Sequence, residues 1–324
     1  MKQHYLEFEK EPMLLGAKLT DLKEKSENSE LSSEDLRKIQ KEMEDIQIQE
    51  VKAVRQLYRQ LSSWQKAQVA RHPLRPHGKD YIQTLVTDFT PIAGDRRFAE
   101  DEAILAGIGR FAEMPIAVVA TEKGTDTKSR VQHNFGMPKP EGYRKAQRLF
   151  ALAQRFGLPI VAFVDTPGAY PGVEAEARGQ AEAIASCIED AMSLEIPFIT
   201  YITGEGGSGG ALALATADQV YMLEHSIYSV ISPEGCASIL WRNPQDAPKA
   251  AEALKITAQD IESLGLIEGV IPEPVGGAHR DKELMIQRVG EHLSAQLEAL
   301  ANNPPRSFSL SRRERFLKFS GSQE

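Results

Sequence analysis

The chain has 324 residues, 41% of them hydrophobic, and a formal net charge of −8. This length can bury a large core and hold one or two domains, whereas the acidic balance argues against nucleic acid or an anionic membrane as the main partner. No apolar run reaches the length of a membrane span, and the opening residues do not resemble a signal peptide.

The two cysteines, Cys187 and Cys236, each lie among apolar or small residues. This context predicts two buried thiols in a reducing compartment rather than a disulfide. The sequence has no Cys-x-x-Cys pair and no His-x-x-x-His spacing, so we expect no metal in this chain.

Residues 1–78 predict a helical arm that lies on the main domain or on a partner. A first helix opens at Pro12 and ends near Lys25, and Ser32 with Asp35 three residues later predicts the start of a longer helix. Apolar residues recur at steps of three and four along this second helix, which is typical of a helix packed on another; the last of them are Leu61 and Trp64.

The main domain is predicted to span residues 79–301. Two strands, 103–108 and 116–120, are joined by a short turn and lead into the cationic segment 123–130. That segment is either a solvated loop or a wall of a site that faces an anionic substrate. A helix over 142–156 follows, and Gly157 is expected to end it.

Two similar units come next, each with a strand, a glycine-rich turn and a helix. The first joins the strand 160–164 to the turn 165–172 and to a helix over 180–192. The second joins the strand 197–203 to the glycines of 204–210. Units repeated in this way suggest a spiral rather than one flat sheet, with both glycine turns facing one cleft.

The remaining segments close the domain. Strands are predicted at 219–223, 227–231 and 269–271, and helices at 247–255, after a cap at Thr257, and over 281–301. Residues 302–324 are expected to form a C-terminal tail, with Arg312 and its basic neighbours solvated and frayed.

The segment 204–210 admits three interpretations. Gly204-x-Gly206-x-x-Gly209 matches the dinucleotide-binding fingerprint, with Glu224 at the distance of a ribose-binding acid. Gly206-x-Ser208-x-Gly210 matches a nucleophile elbow, for which His279 is the only plausible base. In the third interpretation, the backbone N–H groups of Gly206 and Gly207 form an oxyanion hole that uses no side chain.

The position of this segment in the chain bears on the choice. A dinucleotide fingerprint normally follows the first strand of its fold, whereas this one follows several strands and helices. A hole of backbone donors explains the second glycine turn and also the lack of an evident acid–base pair. Chemistry that forms an enolate on a thioester would suit such a site.

Longer motifs identify a family. The chain resembles the α subunits of bacterial and plastid acetyl-CoA carboxylase carboxyltransferase from about Leu6 to beyond His279. The matching motifs are Asn134-Phe135-Gly136-Met137-Pro138, Asp165-Thr166-Pro167-Gly168-Ala169-Tyr170-Pro171-Gly172, Gly204-Glu205-Gly206-Gly207-Ser208-Gly209-Gly210 and Ser232-Pro233-Glu234-Gly235-Cys236-Ala237.

The resemblance implies an α/β crotonase-like (ClpP/crotonase) spiral of ββα units with an N-terminal helical arm. It implies carboxyl transfer from carboxybiotin, carried on a biotin carboxyl carrier protein, to acetyl-CoA, which gives malonyl-CoA for fatty acid synthesis. The implied catalytic donors are the N–H groups of Gly206 and Gly207, which would hold the carbonyl oxygen of biotin, and Gly168, Ala169, Gly204 and Ser208 would contact the substrate.

The resemblance also implies partners. The family works as an α2β2 heterotetramer with a β subunit of the same fold, which carries a zinc ribbon, and together with biotin carboxylase in an ATP-dependent complex. Biotin would arrive on the carrier protein rather than bind covalently to this chain. The implied location is the cytoplasm or the plastid stroma.

Overall fold

The computed structural model describes residues 4–27 and 32–319. Helices form most of the first 85 residues and then alternate with strands. The helices are α1 (Lys10–Ser26), α2 (Ser33–Tyr58), α3 (Ser63–Ala70), α4 (Gly78–Leu85), α5 (Thr127–Gln132), α6 (Pro140–Phe156), α7 (Val173–Ala177), α8 (Gln180–Ser193), α9 (Ser208–Ala215), α10 (Pro233–Trp241), α11 (Ala247–Leu254), α12 (Ala258–Ser263), α13 (Lys282–Asn302) and α14 (Phe308–Lys318).

One mixed sheet forms the centre of the molecule. Its strands are β1 (Thr87–Pro91), β2 (Ile104–Phe111), β3 (Met114–Thr121), β4 (Ile160–Thr166), β5 (Phe198–Gly207), β6 (Gln219–Leu223), β7 (Ile227–Ser229) and β8 (Gly269–Ile271). The order is β1-β2-β3-β4-β5-β6-β8, and β7 pairs with β5 off this path. The first two pairings are antiparallel, and those from β3 onward are parallel.

The sheet turns at β5, because this strand has two different partners along its length. Residues 199–202 pair with β6, whereas residues 205–207 pair with β7. The sequence predicted a strand that ends at Thr203 and then a glycine loop, and this boundary was wrong. The strand continues through Gly207, since its last residues find β7 as a new neighbour, and this change of partner makes the sheet spiral.

Both faces of the sheet are buried, so strands such as β4 read as continuous apolar runs. Successive side chains point to opposite faces: Ala162 and Val164 face a cluster that includes Leu149 of α6 and Leu214 of α9. Phe163 belongs to the cluster on the other face, which includes residues of α4 and α13. The sheet is therefore held rigidly between two layers of helices.

The N-terminal helices form where the sequence predicted them. Ser32 caps α2 by accepting a hydrogen bond from the backbone N–H of Asp35 at 3.2 Å. The apolar stripe does not continue as one helix to Trp64, because α2 ends at Tyr58 and Ser62 caps a separate helix, α3. The polar residues 26–30 predict a break between α1 and α2, and residues 28–30 of it lie outside the described residues.

The prediction of a solvated, frayed C-terminus was wrong for Arg312. This arginine lies in α14 and its side chain has no exposed surface. Its guanidinium donates to the carbonyl oxygens of Ala191 and Leu194, at 2.7 and 3.0 Å, and to the carboxylate of Asp218, at 2.9 Å. Arg312 therefore anchors α14 to the main domain, and the sequence alone does not distinguish it from its exposed basic neighbours.

Both cysteines are free and buried, as the sequence predicted. Gly157 ends α6 in the left-handed conformation, with φ of 67°, and Thr257 caps α12. No helix in the described ranges is long and apolar enough to cross a membrane.

Candidate functional site

The two glycine-rich segments predicted from the sequence lie against each other at the carboxyl ends of β4 and β5. A Cβ atom added at Gly207 would lie 2.2 Å from the carbonyl oxygen of Pro167, and one added at Gly210 would lie 2.6 Å from the backbone nitrogen of Ala169. Gly168 has a φ of 139°, which L side chains rarely adopt. Only glycines allow the two turns to approach this closely.

The second turn leads directly into α9. Gly207 is the N-cap of this helix and no side chain caps it, so the N–H groups of the first turn receive no side-chain acceptor. Ser208, the first helical residue, is exposed and has a φ of 53°. This end of α9 carries the positive end of the helix dipole, which favours an anion or a developing negative charge.

A mostly apolar cavity of about 470 Å³ adjoins the start of α9. Ser208 and Gly209 form one wall, and hydrophobic side chains from several elements form the rest. They include Leu212, Val220, Tyr228, Leu254, Ile261, Leu266, Phe316 and Phe319. Its size and lining suit a small ligand with an apolar body, and the backbone of α9 supplies polar groups at one end.

A charged cluster lies beside the turn. Lys123 contacts the carboxylates of Asp165 and Glu205, at 2.6 and 2.9 Å. Arg71 of the segment after α3 donates to Glu205 at 2.7 Å and also contacts Glu234. Burial alone would raise the pKa of Glu205, but Lys123 and Arg71 outweigh it and lower the pKa to about 2.

A second arginine binds the backbone just before the turn. Arg75 is fully buried and donates to the carbonyl oxygen of Thr203 through two nitrogens, at 3.1 and 2.8 Å. The same guanidinium forms a bidentate pair with Glu273, at 2.8 and 2.7 Å. Burial opposes ionisation of Glu273, yet its pKa falls to about 2 because Arg75 is adjacent.

The nucleophile-elbow interpretation lacks its base in this structure. Ser208 lines the cavity beside α9, whereas His279 lines a separate cavity with His4 and Glu50. The ring of His279 stacks on that of His72, with centroids 3.8 Å apart, and burial lowers its pKa far below the ordinary value. The exposed, strained serine thus resembles an elbow without a partner histidine.

The dinucleotide interpretation loses its acidic residue in a similar way. The carboxylate of Glu224 accepts the backbone N–H of Glu273 at 2.9 Å. It therefore fixes the chain after β8. A ribose-binding acid needs a carboxylate that is available to the ligand.

The cationic segment 123–130 contains both environments that the sequence allowed, a buried one at the site and a solvated one. Lys123 is largely buried, with 18% of its side chain exposed, and belongs to the cluster beside the turn. Lys128 is exposed on α5, whose N-terminus is capped by Asp126. The sequence did not identify Arg71, Arg75 or Glu205 as parts of the site. No motif marks the two arginines, whereas Glu205 lies between Gly204 and Gly206 of the glycine motif.

Within residues 4–27 and 32–319, no group of three or more His, Cys, Asp or Glu side chains is placed to hold a metal ion.

The bent β5, its glycine end and the helix that follows define a crotonase-like α/β fold, which confirms the predicted fold class. The structure is similar to a transcarboxylase 12S chain solved with methylmalonyl-coenzyme A and methylmalonic acid bound, with a TM-score of 0.58, 19% identity and coverage of 73% of this chain and 45% of that one. It is also similar to the β subunit of geranyl-CoA carboxylase from P. aeruginosa, with a TM-score of 0.55, 16% identity and coverage of 78% and 48%.

The family is shown by sequence. Residues 5–320 match the family model described as acetyl co-enzyme A carboxylase carboxyltransferase-like, and the chain belongs to this family. A relative from Acidiphilium cryptum (strain JF-5), named acetyl-coenzyme A carboxylase carboxyl transferase subunit alpha, is 54% identical over 97% of each chain. A relative of the same name from Sinorhizobium fredii (strain NBRC 101917 / NGR234) is 52% identical over 97% of this chain and 98% of its own. The resemblance inferred from the motifs is thereby confirmed.

Proposed function

We propose that this chain is the α-type subunit of a biotin-dependent acetyl-CoA carboxylase carboxyltransferase. It transfers the carboxyl group of carboxybiotin to acetyl-CoA and so forms malonyl-CoA for fatty acid synthesis. The observation that carries this proposal is the close packing of the two glycine turns, 165–172 and 204–210, against each other. The second turn places backbone groups at the start of α9 beside an apolar cavity of about 470 Å³. Full-length relatives named as this subunit support it.

The site fits the ureido end of biotin on two grounds. A side chain at position 207 has no room, because its Cβ would lie 2.2 Å from Pro167 O, so only glycine fits there. The adjoining cavity is mostly apolar, which suits the sulfur-containing ring of biotin. When bound, carboxybiotin supplies the carboxyl group and develops negative charge on its ureido oxygen as that group leaves.

The roles of this chain's residues follow from that charge. The N–H groups of Gly206 and Gly207 donate to the ureido oxygen and stabilise the charge as it grows. The uncapped start of α9 adds its dipole in the same sense. Because the donors are fixed before the reaction, they require no reorganisation during it.

The remaining predicted site residues lie in the two glycine turns. Gly204 admits the carboxylate of Asp165, since a Cβ there would lie 2.3 Å from the Oδ1 atom. Gly168 and Ala169 form the opposing turn, which we propose contacts the substrate across the cleft. Ser208 contributes its exposed backbone and hydroxyl to substrate binding and does not act as a nucleophile.

We propose that the other half of the site comes from a zinc-ribbon β subunit, which holds the thioester enolate of acetyl-CoA. The carboxyl group arrives on a biotin carboxyl carrier protein that biotin carboxylase loads with ATP. The assembly we propose is an α2β2 heterotetramer in the cytoplasm or the plastid stroma. This chain alone supplies donors for only one of the two developing oxyanions, so it is expected to need the partner.

The test is the reverse reaction, malonyl-CoA-dependent carboxylation of free biotin. The full chain is assayed first alone and then together with a zinc-ribbon β partner. The partner assayed alone is the matched control. Activity only in the mixture is the expected result. Activity of this chain alone would contradict a split site, and a mixture that assembles but stays inactive would contradict the proposed reaction.

A further inference from the structure

We propose that Lys123 is a positioning residue for the carboxyl transfer, because it holds the bulged end of β5 in the one conformation that aims the N–H groups of Gly206 and Gly207. The inference rests on the proposed function and assigns a role to a side chain that lies outside the apolar cavity beside α9. It depends on the way β4 and β5 change register just before the glycine turn.

The register change defines a bulge in β5. Val164 of β4 pairs with Ile202, whereas Thr166, two residues further, pairs with Gly206, four residues further. β5 therefore carries two additional residues between these pairs, within residues 203–205. A bulge of this kind re-aims the residues that follow it and interrupts the pairing with β4, although residues 205–207 still pair with β7.

On the side of β4, where the regular pairing is interrupted, side chains from other segments hold the bulge. The carboxylate of Asp165 accepts the backbone N–H of Glu205 at 2.8 Å. Arg75 binds the carbonyl oxygen of Thr203 through two nitrogens. Gly204, between them, has no Cβ that would block the carboxylate of Asp165. Thr203 and Glu205, on either side of Gly204, are thus each held by a buried side chain.

Lys123 connects two of these groups. Its ammonium lies 2.6 Å from Asp165 and 2.9 Å from Glu205. One cation therefore holds both the carboxylate of Asp165, which binds the bulge, and that of Glu205, which belongs to the bulge. Both carboxylates are buried, with 7% and 10% of their side chains exposed. Without Lys123 two like charges would face each other in a poorly hydrated place, and their repulsion would push the bulge apart.

Arg71 provides a second, weaker support. It reaches Glu205 at 2.7 Å but shares its charge with Glu234, and 29% of its side chain is exposed. It contacts only one of the two carboxylates that Lys123 joins. Lys123 is therefore the cation whose loss would most directly displace Gly206 and Gly207.

The expected signature is a loss of rate rather than of substrate binding. Lys123 does not line the apolar cavity beside α9, so its replacement leaves those walls in place. A displacement of catalytic donors by about 1 Å can cost roughly a hundredfold in rate. A role in stability alone would lower the thermal midpoint without separating kcat from KM.

The experiment measures reverse carboxylation of biotin by the full chain with its β partner for Lys123→Met, Lys123→Arg and the control Lys128→Met. We expect Lys123→Met to lower kcat by about a hundredfold with little change in KM for biotin, Lys123→Arg to recover part of the rate, and Lys128→Met to match the wild type. If Lys123→Met fails to fold, Asp165→Asn serves in its place: it weakens the hold of Asp165 on the bulge, and we expect a lower kcat than the wild type with little change in KM for biotin.

A Lys123→Met enzyme that retains wild-type kcat would overturn the inference. So would a loss that appears equally in kcat and KM, or one that Lys123→Arg does not reduce. An inactive wild-type mixture would instead contradict the proposed function, so the two failures are distinguishable.

Discussion

Replacing Arg312 with methionine tests the anchoring of the C-terminal helix α14. The arginine is fully buried and binds the carbonyl oxygens of Ala191, near the end of α8, and of Leu194, just after it, together with Asp218. Removing one partner of a buried ion pair typically costs about 3–5 kcal/mol. Burial already holds the pKa of Asp218 above its ordinary value, although Arg312 opposes this, so the carboxyl can take up a proton and limit the loss. We therefore expect about 3 kcal/mol, the lower end of that range.

A loss of this size would raise the population of detached α14 by roughly 150-fold. Hydrogen exchange of the α14 amides measures that population, because their exchange rate follows local opening. Arg313→Met is the matched control, since Arg313 neighbours the anchor and is exposed. Equal exchange in Arg312→Met and Arg313→Met would refute the assignment of Arg312 as the anchor.

Two further predictions concern buried titratable groups. Burial lowers the pKa of His72 from 6.5 to about 4, with Leu74 donating its N–H to one ring nitrogen and His4 O lying 2.9 Å from the other. Because the folded pKa is the lower one, the contribution of His72 to stability is complete above pH 6.5 and is lost as the pH falls toward 4. The free energy of unfolding, measured with urea at several pH values in this range, should fall less steeply with decreasing pH for His72→Gln than for the wild type. An equal pH dependence in the two proteins would contradict this prediction. Burial also raises the pKa of the Cys187 thiol, so it should react with a thiol reagent only after unfolding, and rapid labelling of the folded chain would contradict this.

Local signals allowed much of the fold to be predicted. Strands β2, β3 and β4 are apolar runs of the right length, and caps such as Ser32 and Thr257 mark helix starts by a side chain that satisfies a backbone N–H group. The two glycine turns were found because only glycine tolerates the approach that they make. Each of these signals acts over a few residues and can be read from the sequence.

The parts that the sequence did not reveal depend on contacts between distant segments. The extension of β5 to Gly207 requires β7 as a partner, some 20 residues later. Arg71 and Arg75 resemble ordinary surface cations in the sequence, and only the tertiary fold brings them to the bulge beside Lys123, whose segment the sequence left open between a solvated loop and a site wall. The roles of Gly206 and Gly207 themselves stay predictions.

The most direct test of those roles is reverse carboxylation of biotin by the full chain and its β partner, with Gly207→Val compared with Ser208→Ala. Valine at position 207 would collide with Pro167 O, which lies 2.2 Å from an added Cβ, and so would displace the donors. The account predicts that Gly207→Val lowers the rate by at least about a hundredfold while the subunits still assemble, and that Ser208→Ala stays active. Full activity of Gly207→Val, or abolished activity of Ser208→Ala, would contradict an oxyanion hole built from the backbone.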